Sequence, residues 1–302
     1  MGRPSVLATA RGTRTEAFGP VEWGLLVAIA SMWGSSFVFI DIALEAFRPP
    51  LIALLRIVLG AAALSLAGRA RRPVAREDWP RIALLGIVWM AVPLLLFPIA
   101  QDLGIASSTA GMINGAMPLF AASFAAILLR RMPGGRQALG LVVGFAGVVL
   151  IFLPAARLPA TLLGAALALL ATVLYGLAAN ITVPLQQRYG APAVVFRAQL
   201  VALIAVLPFG LLSVSDSRFA WSAMLSLLAL GVLGTGLAFI AMSVLVGRAG
   251  ATRGAVAIYF VPVVALVLGI TLRNETVSLF SVAGIALVLF GAWLTSRQEA
   301  RP

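Results

Sequence analysis

Ten apolar runs, each near the length that crosses a bilayer, occupy almost the whole of this chain. A hydrocarbon core of ~30 Å takes ~20 residues per helix. On that measure the runs fall at 22–42, 50–68, 81–100, 107–129, 137–154, 160–183, 191–212, 219–246, 254–272 and 276–296. Backbone amides in lipid must bond within their own segment or close a barrel, so these runs predict an all-α integral membrane protein with ten transmembrane helices. At 62% hydrophobic residues the chain lies well above the ~45–50% of soluble domains. The connections are too short to fold separately.

Charge then sets direction. All 22 basic residues are Arg, against 10 acidic ones, for a net charge of +12. In a soluble protein that balance points to nucleic acid, but no soluble domain remains to carry such a partner. With the N-terminus inside, sixteen Arg fall in the inner segments, and only Arg48, Arg157, Arg218 and Arg273 in the outer ones. This positive-inside bias predicts a multi-pass protein of the bacterial inner (plasma) membrane with both termini cytoplasmic. Trp23, Trp79 and Trp221 open spans, at the depth that interfacial Trp favours. The division that follows is a tail at 1–20, five spans over 21–154, five over 155–296 and a tail at 297–302. Five being odd, the second half enters from the opposite side, so the two repeats are inverted.

The fourth run, 107–129, carries Gly111, Asn114, Gly115 and Pro118 at its middle. A hydrophobic span interrupted near its centre, with a counterpart in the other half, points to a binding site at mid-membrane between inverted repeats. An offset of 144 residues lays Pro118 on Pro262, Ala121 on Ala265, Leu128 on Leu272, Gly140 on Gly284 and Gly147 on Gly291. The site is therefore expected between spans 4 and 9. Pro118 also denies the carbonyl of Asn114 its helical donor, which puts a free carbonyl and a side-chain amide together. Asn114 is read as a solute contact or an interhelical hydrogen bond.

The other candidates are polar groups at similar depth. Trp33 and Trp89 lie half-way through spans, where an indole N–H needs a partner in protein or in a wet cavity. Tyr175 and Tyr259 raise the same demand, and four such aromatics suit a planar or cationic solute. Ser36, Asn180 and Thr235 complete the set, although Ser and Thr often bond to their own helix. Arg56 and Arg197 sit inside spans 2 and 7, and snorkelling to the headgroups accounts for both. Gly140 and Gly144 mark a close-packing helix face. With no His or Cys in the chain, metal and haem sites lose their usual ligands. No metal or cofactor is expected. An enzyme would also need acid–base groups converging in a pocket, and none is foreseen.

Several short motifs together resemble the drug/metabolite transporter superfamily in its ten-helix EamA-type branch. They are Trp33-Gly34-Ser35-Ser36-Phe37 with Tyr175-Gly176 as its echo, Pro50 and Arg56 echoed by Pro192 and Arg197, and the turn Leu272-Arg273-Asn274-Glu275-Thr276-Val277-Ser278. The turn is similar to the family's Gly-Glu turn before the last helix. Arg131 stands where that Glu is common in the first half. In length and layout the chain is similar to bacterial amino-acid exporters of the YddG type. That resemblance implies a central cavity lined by spans 1, 3, 4, 6, 8 and 9, with 2, 5, 7 and 10 outside.

The expected function is export or facilitated passage of small metabolites, above all aromatic and other apolar amino acids, by alternating access. The alternative is a drug or toxic-cation exporter, possibly proton-coupled. The candidate substrate contacts are Trp33, Ser36, Trp89, Asn114, Pro118, Tyr175, Asn180, Thr235, Tyr259 and Pro262. Partners are the small-molecule solute and the lipid bilayer, with a monomer as the working unit. No carboxylate lies near a midplane. Asp41 is the nearest, and its place at the outer end of span 1 suits a helix terminus or Arg48, so passage down a gradient is expected.

Overall fold

The computed structural model describes residues 19–128, 130, 133–249 and 256–296. The two tails, Arg131 and the 250–255 connection lie outside the described residues. Among the described residues all regular structure is helical. Eight helices are long and apolar enough to cross a membrane, and two further apolar helices are shorter. In chain order they are α1 (Pro20–Leu44), α2 (Pro49–Ser65), α3 (Arg76–Asp102), α4 (Ser107–Leu128), α5 (Gly135–Ala155), α6 (Pro159–Tyr189), α7 (Ala191–Leu212), α8 (Trp221–Met242, continuing as Ala238–Ala249), α9 (Val256–Arg273) and α10 (Leu279–Ser296). Pro in the first turn opens α1, α2, α6 and α7, where its missing N–H costs nothing and its fixed φ suits the helix. Large apolar side chains such as Val142, Ile204 and Leu212 point outward, at 68%, 75% and 77% exposure. That is the surface a lipid solvent calls for.

What holds the helices together is close approach at small residues, and the contacts recur in pairs. Gly34 of α1 lies against Val264 and the carbonyl of Val261 on α9, while Gly176 of α6 lies against Phe120 and Ala121 on α4. Gly86 of α3 faces Val201 of α7, and Gly231 of α8 faces Leu59 of α2. The face foreseen at Gly140 and Gly144 is present. Gly140 and Gly144 meet Gly291 of α10, and Gly147 meets Gly284, so α5 and α10 touch backbone to backbone. Each partner in these couples has its equivalent in the other half of the chain.

Besides a one-residue turn at Ser35 in α1 and a 3-10 turn at Arg76–Asp78 opening α3, two local features depart from regular α-helix. α4 is interrupted between Asn114 and Met117, as its Gly and Pro predict. α9 is not: it runs unbroken through Pro262. The positions matching Asn114 and Gly115 are Ile258 and Tyr259, ordinary helix residues, so one proline leaves a single bond missing without ending the helix. The expected second break is thus corrected to a continuous helix. The other departure is a pair of π-helical stretches, Gly86–Ala91 in α3 and Ala229–Leu237 in α8. Such widened turns re-aim side chains and concentrate at functional sites. No residue pattern in the sequence announces them.

Candidate functional site

Between the helices lies a cavity of about 280 Å³, close to the lower bound of ~300 Å³ for small-molecule sites. Its wall is drawn from α1, α3, α4, α6, α8 and α9, with one residue, Arg56, from α2. Much of that wall comes in equivalent pairs. An offset of 145 residues relates Trp89, Met90, Leu94 and Phe97 of α3 to Gly234, Thr235, Phe239 and Met242 of α8, and every one of them lines the cavity. Trp33, Phe37 and Ile40 of α1 answer Tyr175, Ala179 and Thr182 of α6 at an offset of 142. Asn114 and Met117 answer Ile258 and Val261 at 144.

Six aromatic rings stand in the wall, among aliphatic side chains such as Ile40, Leu94 and Val261. Phe239 stands edge-on to both Trp33 and Trp89, with ring centroids 5.4 and 5.1 Å apart. Phe97 meets Phe37 edge-on at 5.3 Å and stacks on Tyr175 at 6.0 Å. These geometries favour rigid flat surfaces. The indole N–H of Trp33 finds its partner in the carbonyl of Gly234, 3.0 Å away in the π-helical part of α8. Ser36 donates to the carbonyl of Met32 at 2.9 Å, and Thr235 to that of Leu230 at 2.8 Å. Those hydroxyls therefore spend their protons on their own helices. The side-chain oxygen of Asn114 is buried and has no hydrogen-bond partner, an acceptor held in reserve at the helix interruption.

Of the ten residues singled out from the sequence, Trp33, Ser36, Trp89, Asn114, Tyr175 and Thr235 meet at this cavity. Pro118, Asn180, Tyr259 and Pro262 are not on its wall. Asn180 instead donates to the carbonyls of Ala121 and Gly176, both at 3.0 Å, bracing α6 against α4. The Tyr259 hydroxyl donates to Ala292 of α10 at 3.2 Å. Pro262 is buried against Gly115. Phe37, Phe97 and Phe239 escaped sequence reasoning because Phe serves equally well against lipid, and nothing in their spacing distinguishes the two uses.

Arg56 requires a correction. It does not snorkel: it is 8% exposed, lines the cavity and donates from Nε to Thr235 Oγ1 at 2.8 Å. An ionisable residue within an apolar run was the available signal. Its counterpart Arg197 stays structural, donating to the carbonyls of Ala70 and Ala193 at 2.9 and 3.1 Å. Asp41 also has a different partner from the one expected. It pairs at 2.5 Å with Arg273, not Arg48, and Glu45 joins the same guanidinium at 2.7 Å.

These ion pairs close one end of the molecule, tying the end of α1 to the end of α9. Beside them Glu275 receives the backbone N–H and hydroxyl of Ser107 at 2.8 and 2.6 Å and the N–H of Ser108 at 2.9 Å. A carboxylate at a helix start complements its unpaired amides and dipole. The cavity wall continues the other way, to Gln186, Met242 and Ile258 near the opposite ends of α6, α8 and α9. At that end Arg188 and Tyr189 of α6 both hold Asp78, each at 2.7 Å.

The model of the EamA-like transporter family matches residues 22–153 and again 162–297. The chain belongs to that family. As an EamA-like protein it is a multi-pass membrane transporter for small-molecule substrates. It is 28% identical to a "Probable terminal-alkyne amino-acid exporter" of Streptantibioticus cattleyicolor, over 91% of this chain and 93% of that one. An "Uncharacterized transporter" of Archaeoglobus fulgidus is 25% identical over 92% of this chain and 99% of its own. The "Uncharacterized inner membrane transporter YedA" of Escherichia coli is 25% identical, over 91% and 90% of the two chains. A solved crystal structure superposes with a TM-score of 0.59 at 20% identity, covering 90% of this chain and 95% of that one, a likeness of fold.

Proposed function

We propose that this EamA-like transporter moves small zwitterions with apolar bodies, in the first place aromatic and other apolar amino acids, out of a bacterial cell by alternating access. The observation that carries the reading is the cavity, aromatic-walled, between two sets of equivalent helices. Rings of Trp33, Phe97, Tyr175 and Phe239 suit an apolar side chain. The unpaired oxygen of Asn114 suits an ammonium group. One relative is named an amino-acid exporter, which agrees with this choice.

In this reading residues 21–154 and 155–296 are two inverted five-helix repeats, and rocking one against the other exposes the cavity to each side in turn. The Arg distribution supports cytoplasmic termini in the inner membrane. The end closed by Asp41, Glu45 and Arg273 is then the outer gate, and the cavity faces inward. Half-exposed ion pairs are worth only ~0–1 kcal/mol each, which suits a gate that opens in every cycle. The working unit is taken to be the monomer, since the cavity is complete within one chain.

Counterflow in proteoliposomes tests this directly. Liposomes preloaded with unlabelled phenylalanine should draw in radiolabelled phenylalanine or leucine only when they contain the protein. A screen in which organic cations exchange and no amino acid does would reject the reading in favour of a drug or toxic-cation exporter.

A further inference from the structure

Arg56 stands out as a guanidinium for which no described residue supplies a counterion. It is buried inside the bundle, on a helix that gives the cavity no other lining residue. The hydrogen bond it makes is to a neutral hydroxyl, Thr235, through Nε alone. The ionisable side chain that shares the cavity wall with it is the phenol of Tyr175. No carboxylate among the described residues pairs with it: Asp41 and Glu45 are committed to Arg273, and Asp78 and Glu77 to Arg188. A buried ion without a partner is costly, by several kcal/mol even after relaxation. Within a membrane such a group marks a ligand path.

The way Arg56 enters the cavity is built into α8. Position 234 is glycine, and a Cβ there would stand 3.6 Å from Arg56 Nη2 and 2.9 Å from Ser36 Oγ. A side chain at 234 would thus crowd Ser36, while the guanidinium lies within ordinary contact of that position. The π-helical turn, in which Thr235 donates five residues back to Leu230, holds the hydroxyl that fixes Nε. Arg56, like Ser36, Val183 and Gln186, has no equivalent on the wall. The corresponding Arg197 spends its nitrogens on backbone carbonyls, leaving one cation, on one side of the cavity.

We propose that Arg56 is the carboxylate subsite of the cavity, its two terminal nitrogens taking the α-carboxylate of the substrate in a paired, planar contact. A guanidinium fork matches a carboxylate in this way. The contact supplies the missing counterion only while substrate is bound. The apolar body then lies along the aromatic wall, and the ammonium lies away from Arg56. One monocation favours a monoanionic head over a phosphate dianion. The inference rests on the amino-acid reading above and adds the group that orients the substrate.

The test uses the full chain in proteoliposomes, with radiolabelled phenylalanine counterflow competed by phenylalanine, phenylalaninamide and 3-phenylpropionate. Phenylalaninamide keeps the ammonium and loses the carboxylate, and for the wild type it should compete about tenfold or more weakly than phenylalanine, as a site left with an unpaired polar group rejects an analogue. 3-Phenylpropionate, which keeps the carboxylate, should still compete. In Arg56→Gln the gap between phenylalanine and phenylalaninamide should collapse to about twofold or less, while Arg56→Lys should retain part of it. A purely structural Arg56 would lower transport of both compounds in parallel and leave the gap intact, which overturns the proposal. Equal competition in the wild type overturns it without any variant, so a misfolded Arg56→Gln does not protect it. Replacing chloride by gluconate covers the other source of an anion: flux that needs chloride and ignores the substrate carboxylate also overturns it. Counterflow of amino acids without carboxylate dependence defeats the Arg56 subsite alone, whereas absence of any amino-acid counterflow defeats the proposed function and the subsite together.

Discussion

Replacing Gly291 by Ala should loosen the α5–α10 contact, and the structure sets the size of the effect. A Cβ at 291 would lie 2.5 Å from the carbonyl oxygen of Gly140 and from the amide nitrogen of Gly144, and 2.6 Å from the Gly144 Cα. Ordinary contact for such an atom is 3.4–4 Å, so relief requires the helices to part by ~1 Å, a gap that forfeits a quarter to a half of each affected dispersion contact. All three neighbours are backbone atoms, so no side chain can swing aside. Overpacking of this kind costs ~1–3 kcal/mol, and rigid neighbours put it near the upper end. Alanine's better helix propensity returns ~1 kcal/mol. The net expectation is a loss of ~1–2 kcal/mol. Gly24→Ala is the control, since nothing lies within 4 Å of a Cβ there, and it should be neutral or slightly stabilising. Reversible unfolding in mixed micelles, followed by helical circular dichroism, measures both. A Gly291→Ala protein as stable as the Gly24→Ala protein would refute the backbone-contact argument for this interface.

Asn114→Ala should impair exchange of amino acids severalfold while leaving thermal stability close to wild type, because the lost oxygen has no protein partner; unchanged apparent affinity in counterflow would remove Asn114 from the site. Glu275→Gln weakens three hydrogen bonds at the start of α4 and should cost ~1–2 kcal/mol, read by the same unfolding assay, with no loss arguing that the contact is incidental. Single Cys at Arg72 and Arg157 should respond oppositely to an impermeant thiol reagent applied to intact cells, with labelling at 157 only; labelling at 72 contradicts the inverted arrangement. Solute flux under an imposed pH gradient should follow the solute gradient alone in wild type and in Asp41→Asn, and accumulation that tracks the pH gradient and vanishes in Asp41→Asn would identify a coupled antiporter.

Much of this protein is legible in one dimension because lipid imposes one-dimensional rules. A bilayer of fixed thickness demands runs of fixed length, so the helices can be placed from hydropathy. The interruption in α4 follows from Gly115 and Pro118 acting on their own backbone. The glycines of α5 and α10 recur at one offset because both halves must make the same close approach. Six of the ten candidate residues share one cavity because a polar group at mid-depth needs a polar or wet surrounding. What the sequence could not decide is which way a given side chain turns and whom it meets. Tyr259 and Asn180 carry the same credentials as Tyr175 and Asn114, yet they face carbonyls of neighbouring helices. Pro262 matches Pro118 in register, but the residues before it keep α9 straight. Arg56 and Arg197 look alike along the chain. Only the packing of α2 against the π-helical turn of α8, where Thr235 takes the Nε hydrogen bond, turns one guanidinium into the cavity. Membrane depth is a property of sequence position. Facing is a property of the assembled bundle, where each helix is rotated by contacts with residues far away along the chain.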